Sequence, residues 1–218
     1  MTRGILLKRD FGSLINNPKY SDIEILCQDG EKIYGIRAIL AIRCDVLDKL
    51  LYNGMKESHE SQIYFPQINS TEFKIILEYL YTGSIDKNSL NKDNIVETYI
   101  AIDYFQITEL QDLLMESVKF ILENNQDDNF SPELLSKAVI KLPNLTDNEL
   151  FNLLIESVAL IPLNSIKIGR LSYLALQHLL SSTYENKMPF MTSEYDVFRY
   201  SVILAKKEYL IMQQKLLN

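Results

Sequence analysis

The sequence predicts an α+β domain followed by an all-helical domain. Two short strand-like segments near the start, SDIEILC and EKIYGI, precede a series of longer segments with helical periodicity. A polar stretch at 123–129, ENNQDDN, contains no apolar residue and divides the chain. Every segment after this stretch has a helical pattern. We therefore predict domain limits of 1–123 and 130–218.

The two strand-like segments are predicted to form a hairpin. Asp29-Gly30 lies between them, and this dipeptide favours a tight turn between antiparallel strands. A third short strand is predicted at QIYF, where Pro66 ends it. A strand pair, a helix, a strand and further helices follow one another, which is the order of an α+β domain rather than a repeated βαβ one.

Helical periodicity predicts the remaining elements of the first domain. Apolar residues recur at helical spacing in RAILAIRCDVLDKLLY, which we interpret as one helix. The segment NSTEFKIILEYLY begins at Asn69, has Glu72 in the pattern of a capping box, and stops at Gly83. Two more helices are predicted in KDNIVETYIAIDYFQI and TELQDLLMESVKFIL.

The second domain is predicted to be helical throughout. Ser131-Pro132 begins one helix, since proline is favoured at the first helical position. A capping box from Thr146 to Glu149 begins another. The segments RLSYLALQHLL and SEYDVFRYSVILAKKEYLIMQQKLL supply the others. Several of these helices are apolar over more than one face, so we expect them to pack on one another.

Composition and charge argue against several classes of function. The chain has 218 residues, 47% of them apolar, and a formal net charge of −7. It lacks the basic stripe that supplies affinity for phosphates, so we expect no nucleic-acid binding. The longest apolar run, AILAI, is too short to span a membrane, and no signal-peptide core is seen at the start. We expect a cytoplasmic or nuclear protein in which Cys27 and Cys44 are reduced core thiols.

No motif of catalysis or metal binding is found in the sequence. Its seven glycines form neither G-x-G-x-x-G nor a phosphate-binding loop, and no G-x-S-x-G is present. The histidines, His59 and His178, lie in different predicted domains, without a cysteine or histidine at metal-ligand spacing. We therefore expect neither an enzyme nor a cofactor or metal.

An apolar stripe is predicted near the start of the chain. Leu7, Phe11, Leu14 and Ile15 recur at helical spacing, although Gly12 weakens the helix. This N-terminal stripe lies outside the predicted strands and helices of the first domain and needs a surface to cover it. A symmetric dimer would supply one. The alternatives are that the stripe packs on its own domain or frays.

Four motifs of the first domain occur in the order and at the spacing of a known family. They are YSDIEILC, a G-M-x-E-S loop, F..ILEYLYTGSI at 73–85, and a helix ending in DYFQI. Over about residues 20–122 the chain resembles the BTB/POZ family, although Ile36 stands where that family usually has histidine. The resemblance implies a small mixed sheet with a helical cluster. Through LSYLALQHLLSS and MTSEYDVFRYSVILA, the second domain resembles the helical BACK domain.

The resemblance implies a homodimer. BTB/POZ domains are protein-interaction modules, and in dimeric members the N-terminal helix crosses to the partner. The N-terminal stripe would then lie at the dimer interface. The family's buried acidic–basic pair near the dimer axis falls on Asp22 and Arg37. The alternative is an ordinary local contact between these two residues.

The resemblance also implies a docking site for a cullin scaffold, usually of the cullin-3 class. In adaptor members a hydrophobic-x-Glu motif after the third family helix makes this contact. Met55-Lys56-Glu57 matches the motif, and Tyr104 and Phe105 lie where the supporting helix runs. Methionine is flexible and polarisable, and so suits an irregular pocket on a partner. The alternatives are that Met55 closes over its own helix and that Tyr104 and Phe105 belong partly to the core.

These matches imply a non-enzymatic substrate adaptor of a cullin-3 type RING ubiquitin ligase with an unidentified protein target. The alternative is a dimeric BTB scaffold or regulatory protein without a ubiquitin role. Binding to the cullin distinguishes the two.

Overall fold

The structure, a computed structural model, describes residues 6–54, 56–124, 129–142, 145–185 and 188–216. Backbone contacts divide the chain into two units, with the boundary between Val118 and Lys119. The first unit combines strands with helices, and the described part of the second contains helices and turns. The predicted α+β fold followed by a helical region is confirmed. The domain limits of 1–123 and 130–218 stay a prediction.

A mixed sheet with strand order β2-β1-β3 organises the described part of the first unit. Strand β1 (Ile23–Cys27) pairs antiparallel with β2 (Lys32–Gly35) and parallel with β3 (Gln62–Phe65). Alternate residues of β1 are buried, since successive side chains point to opposite faces of a sheet. The predicted hairpin is confirmed. Gly30 in its turn has a φ of 80°, a conformation that glycine adopts without steric cost.

Six α-helices accompany the sheet among the described residues, and the last of them extends past the unit boundary. They are α1 (Leu7–Gly12), α2 (Arg37–Arg43), α3 (Asp45–Tyr52), α4 (Ser70–Thr82), α5 (Ile95–Phe105) and α6 (Thr108–Asn124). A short 3-10 helix, Lys56–His59, lies between α3 and β3. Helix α4 stops as predicted at Gly83, whose φ is 70°.

One helix of the prediction is two helices in the structure. The segment 37–52 is interrupted at Cys44, whose backbone is extended with a φ of −150° and a ψ of 115°. Cys44 Sγ donates to the carbonyl oxygen of Phe105 at 3.5 Å, which ties the interruption to α5. Apolar spacing does not reveal the break, because the apolar pattern continues on both sides of it.

The second unit contains four longer helices in its described ranges. They are α7 (Ser131–Lys141), α8 (Glu149–Ala159), α9 (Tyr173–Glu185) and α10 (Glu194–Leu216). Helix α7 has proline in its first turn, as predicted. Helix α8 begins differently from the prediction, because Asn148 is its N-cap and accepts a hydrogen bond from Phe151 N at 3.0 Å. Thr146 lies in the turn before this cap.

The two cysteines are core thiols, as predicted. Both are buried and neither is in a disulfide. Burial raises the pKa of the Cys27 thiol to about 12, so it is protonated at neutral pH. Burial also raises the pKa of Cys44.

Two kinds of feature are absent from the described residues. They contain no helix with the length and apolar character of a membrane span. They also contain no cluster of three or more histidine, cysteine, aspartate or glutamate side chains placed to hold a metal ion.

Helix α4 begins against the hairpin turn. Ser70 N donates to Asp29 Oδ2 at 3.0 Å, and the Ser70 hydroxyl donates to Glu31 Oε2 at 2.6 Å. Asn69 is the N-cap residue, as predicted, but it makes no side-chain cap hydrogen bond, so the predicted capping box with Glu72 is wrong. A carboxylate from the hairpin takes the place of the local cap. Local patterns do not signal this contact, because its partners are 41 positions apart.

Glu72 is instead buried in the core, where its Oε2 atom has no hydrogen-bond partner within the described residues. Burial raises the pKa of this carboxyl, and the nearby carboxylate of Glu97 raises it further. A carboxyl group whose pKa is higher in the folded chain than in the unfolded chain makes its full contribution to stability at pH values below the unfolded pKa. That contribution is lost as the pH rises through the folded pKa. The carboxyl of Glu72 therefore contributes less to stability at neutral pH than at acidic pH.

We expect Glu72→Gln to raise the melting temperature at neutral pH, since glutamine brings no charge into the core. The gain should shrink as the pH falls toward the ordinary glutamate value of 4.5, because protonation removes the charge from the core. Thermal melts between about pH 4 and pH 8 check this. Glu116→Gln, at an exposed position of α6, is the control. A gain that does not vary with pH would contradict the interpretation.

Candidate functional site

The loop after α3 contains the predicted docking motif. Met55 lies outside the described residues. Glu57 is half-buried in the short 3-10 helix, and its carbonyl oxygen accepts a hydrogen bond from Glu60 N at 3.3 Å. The Ser58 hydroxyl donates to Leu50 O at 3.5 Å, which joins the loop to α3. Glu57 is therefore presented on a turn with a defined backbone.

Arg37 holds this loop from the start of α2. Its guanidinium donates to the backbone carbonyl of Glu60 and lies 3.4 Å from Ser58 O. Its backbone N–H donates to Asp22 Oδ1 at 2.7 Å, so Asp22 caps α2 from outside the helix. Within this chain the predicted acidic–basic pair is a local backbone contact, and Asp22 is exposed rather than buried. A role of either residue at a dimer axis stays a prediction.

Aromatic rings form a cluster between β3, α4 and the end of α5. The ring centroids of Phe65 and Phe105 are 5.2 Å apart, and those of Phe73 and Phe105 are 5.7 Å apart. The Tyr104 ring meets Phe65 at 6.1 Å and Phe105 at 5.1 Å, edge to face in both cases. Aromatic pairs favour this geometry, so Tyr104 is held in one orientation.

Tyr104 and Phe105 have different environments although they are adjacent in sequence. Phe105 is 1% exposed, and Tyr104 is 49% exposed. The Phe105 side chain is enclosed by the core of this chain, and its contact with a cullin stays a prediction. Tyr104 remains accessible to a partner. The docking loop leads directly into β3. Phe65 lies on this strand and its ring contacts the ring of Tyr104, so the strand joins the loop to that ring.

The N-terminal stripe is divided in the structure. Helix α1 ends at Gly12, and Leu14 and Ile15 lie in the turns that follow it, where both are half-buried. Helix α1 contacts α4. Leu7 and Phe11 line a groove whose other apolar residues are Ile39, Ile42, Leu80 and Tyr81. The stripe therefore packs partly on its own domain, while Leu7 stays exposed. Its place at a dimer interface stays a prediction.

Sequence reasoning missed Asn16, which fixes the segment after α1. Its backbone has a φ of 49°, and its Oδ1 accepts a hydrogen bond from Tyr34 N at 2.9 Å, at the edge of the sheet. The signal that could have located a turn here is Asn16-Asn17-Pro18, since asparagine tolerates left-handed backbone and proline favours turns.

Comparison with known proteins gives one family. Residues 11–122 match the BTB/POZ domain family. BTB/POZ domain-containing protein 19 of Homo sapiens is 29% identical over 112 residues, which are 51% of this chain and 38% of that protein. BTB/POZ domain-containing protein 9 of Drosophila melanogaster is 28% identical over 138 residues, 63% of this chain and 18% of that protein.

The chain also matches a solved structure, the BTB domain of human gigaxonin. The match covers 53% of this chain and 97% of that domain, with a TM-score of 0.42 and 24% identity. The chain spans well under two thirds of the length of the full-length relatives it matches. BTB/POZ domains generally act in protein interaction and homo-oligomerisation rather than in catalysis. Because the family match covers residues 11–122 of 218, this chain belongs to the BTB/POZ family.

Proposed function

We propose that this protein is a non-enzymatic substrate adaptor of a cullin-RING ubiquitin ligase. Its BTB unit binds a cullin-3 type scaffold and forms a homodimer, and another surface binds a protein target. The observation that carries the proposal is the defined turn after α3. On this turn Glu57 follows the methionine of a hydrophobic-x-Glu motif, and Arg37 bonds to the backbone of the loop.

The chemistry of this region suits a protein partner. The Glu57 carboxylate can accept hydrogen bonds from a donor on the scaffold or within the loop. Met55, in the motif, supplies an adaptable apolar side chain. Tyr104 adds an accessible ring whose orientation is set by Phe65 and Phe105. A side chain that is ordered before binding loses less conformational entropy when the complex forms.

The adaptor supplies recognition in this proposal, and other subunits of the ligase supply ubiquitin transfer. The helical unit would space the target from the cullin, as the BACK-like sequence pattern suggests. The burial of Cys27 supports a role in recognition rather than in ubiquitin transfer, because a protonated thiol in the core is a poor nucleophile.

We expect Met55→Ala and Glu57→Ala each to weaken binding to the cullin at least about tenfold, which corresponds to about 1.4 kcal/mol. Isothermal titration of the full chain with an N-terminal fragment of cullin-3 measures this. Met191→Ala and Glu156→Ala are matched controls, since both positions are exposed in the helical unit. The controls should bind like the wild type.

Unchanged affinity in both Met55→Ala and Glu57→Ala would show that the motif is not the docking site. Failure of the wild-type chain to bind the cullin would reject the adaptor function itself. That second result would support the dimeric scaffold or regulatory protein without a ubiquitin role.

A further inference from the structure

Helix α10 has a buried apolar face and an exposed one, and two further exposed apolar residues, Ile203 and Leu210, lie between these faces. One face packs on its own unit, where Tyr200 and Leu204 are buried and α10 contacts α9 and the turn Leu163–Ser165. The other face is exposed to solvent. At about 100° per residue, its members lie roughly 140° around the helix from Tyr200 and Leu204. Contacts within the described part of the second unit therefore account for only one of the two faces.

The exposed face has a heptad spacing. We call it the outer seam, and its described members are Tyr195, Phe198, Val202, Ala205 and Tyr209. They are separated by alternating steps of three and four, and the sequence continues these steps at Met212 and Leu216. This average spacing of about 3.5 residues is shorter than the helical repeat. It keeps one stripe facing a partner when two helices wind around each other.

The outer seam presents enough apolar area for a dimer. Tyr195 is 72% exposed, Phe198 68%, Val202 51% and Tyr209 59%. With side-chain areas of about 150–250 Å² for aromatic residues, these positions expose roughly 500 Å² in each copy. Two copies would bury about 1,000 Å² before flanking residues are counted, which reaches the size expected of a specific interface.

We propose that the outer seam pairs with the outer seam of a second copy of this chain as a parallel, two-stranded coiled coil. Pairing about a two-fold axis parallel to the helices would bury the same face of α10 in both copies. The seam lies outside residues 11–122, which match the BTB/POZ family, so the pairing does not depend on cullin binding.

Charges beside the seam favour the parallel orientation. In a parallel pair, the residue before Tyr195 on one helix faces the residue after Phe198 on the other helix. These residues are Glu194 and Arg199, which are exposed and of opposite charge. In an antiparallel pair centred on the seam, Arg199 would instead face Lys206, another exposed cation. Like charges at such positions oppose pairing.

Single cysteines in the full chain test the pairing. A disulfide requires Cα atoms about 4.4–6.8 Å apart, a distance reached across the seam of a coiled coil. We expect Ala205→Cys and Tyr195→Cys to form disulfide dimers under mild oxidation at least about tenfold faster than Lys207→Cys. Lys207 is the control because its Nζ reaches Ile168 O, on the side away from the seam. The wild type, whose two cysteines are buried, gives the background.

Circular dichroism of each variant first establishes that it is folded. Equal rates at the three positions would show random collision and overturn the proposal. Absence of dimers at 195 and 205 would overturn it as well, and would leave the seam to another protein. Crosslinking at 205 without 195 would overturn the parallel arrangement. The disulfide rates are measured without the cullin, so failure here is distinct from failure to bind the cullin.

Discussion

Replacement of Phe105 by alanine is expected to lower the free energy of unfolding by about 3–5 kcal/mol. Phe105 is enclosed by the core and contacts the rings of Phe65, Phe73 and Tyr104. Alanine would remove these ring contacts and leave a cavity that the surrounding strand and helices fill only in part. Urea unfolding of the full chain, followed by circular dichroism, measures the loss.

Tyr104→Ala is the matched control for Phe105→Ala, because the adjacent ring is half exposed. It should cost much less stability, since water already covers one side of this ring. It should also weaken cullin binding if the accessible ring belongs to the docking surface. Equal losses of stability in the two variants would contradict the division between a core residue and a surface residue.

Tyr81→Phe is expected to lower the free energy of unfolding by about 1–3 kcal/mol through the loss of one oxygen atom. The buried Tyr81 hydroxyl accepts a hydrogen bond from Ile36 N at 2.8 Å, just before α2 begins. Burial raises the pKa of this phenol, so it is neutral at physiological pH. Phenylalanine has no acceptor, and the N–H of Ile36 would be left without its partner.

Tyr64→Phe provides the comparison for Tyr81→Phe, since Tyr64 is exposed on β3. It should leave stability nearly unchanged. The two variants are compared by urea unfolding at the same pH. Equal losses in the two variants would show that the hydrogen bond between Ile36 and Tyr81 is not a net source of stability.

The elements that sequence predicts well are those fixed by local chemistry. The hairpin follows from Asp29-Gly30, the end of α4 from Gly83, and the start of α7 from Pro132. In each case a residue with special backbone preferences lies at the position where the chain changes direction.

Tertiary contacts determine what the sequence does not predict. At the break between α2 and α3, Cys44 contacts Phe105 O, which is 61 positions away. The opposite environments of Tyr104 and Phe105 depend on which side of α5 meets β3 and α4. Helical spacing places these two residues about 100° apart, but does not say which of them faces the core.

The candidate site is likewise predicted only in part from the sequence. The motif locates Glu57 from sequence, but the support from Arg37 spans 21 and 23 positions and follows only from the fold. The resemblance predicts that Arg37 is one half of a charge pair. In the structure its guanidinium instead meets the backbone carbonyls of the docking loop.

The hydrogen bonds of Asp29 limit how the first unit can be divided into fragments. One carboxylate oxygen accepts from Glu31 N at 3.2 Å in the hairpin turn, and the other accepts from Ser70 N at the start of α4. A fragment that begins after the hairpin would lack the acceptor for the first N–H of α4. A fragment that ends before α4 would keep a turn whose carboxylate has lost one of its two donors. The shortest piece that preserves the native start of α4 therefore includes Asp29 and everything between it and Ser70.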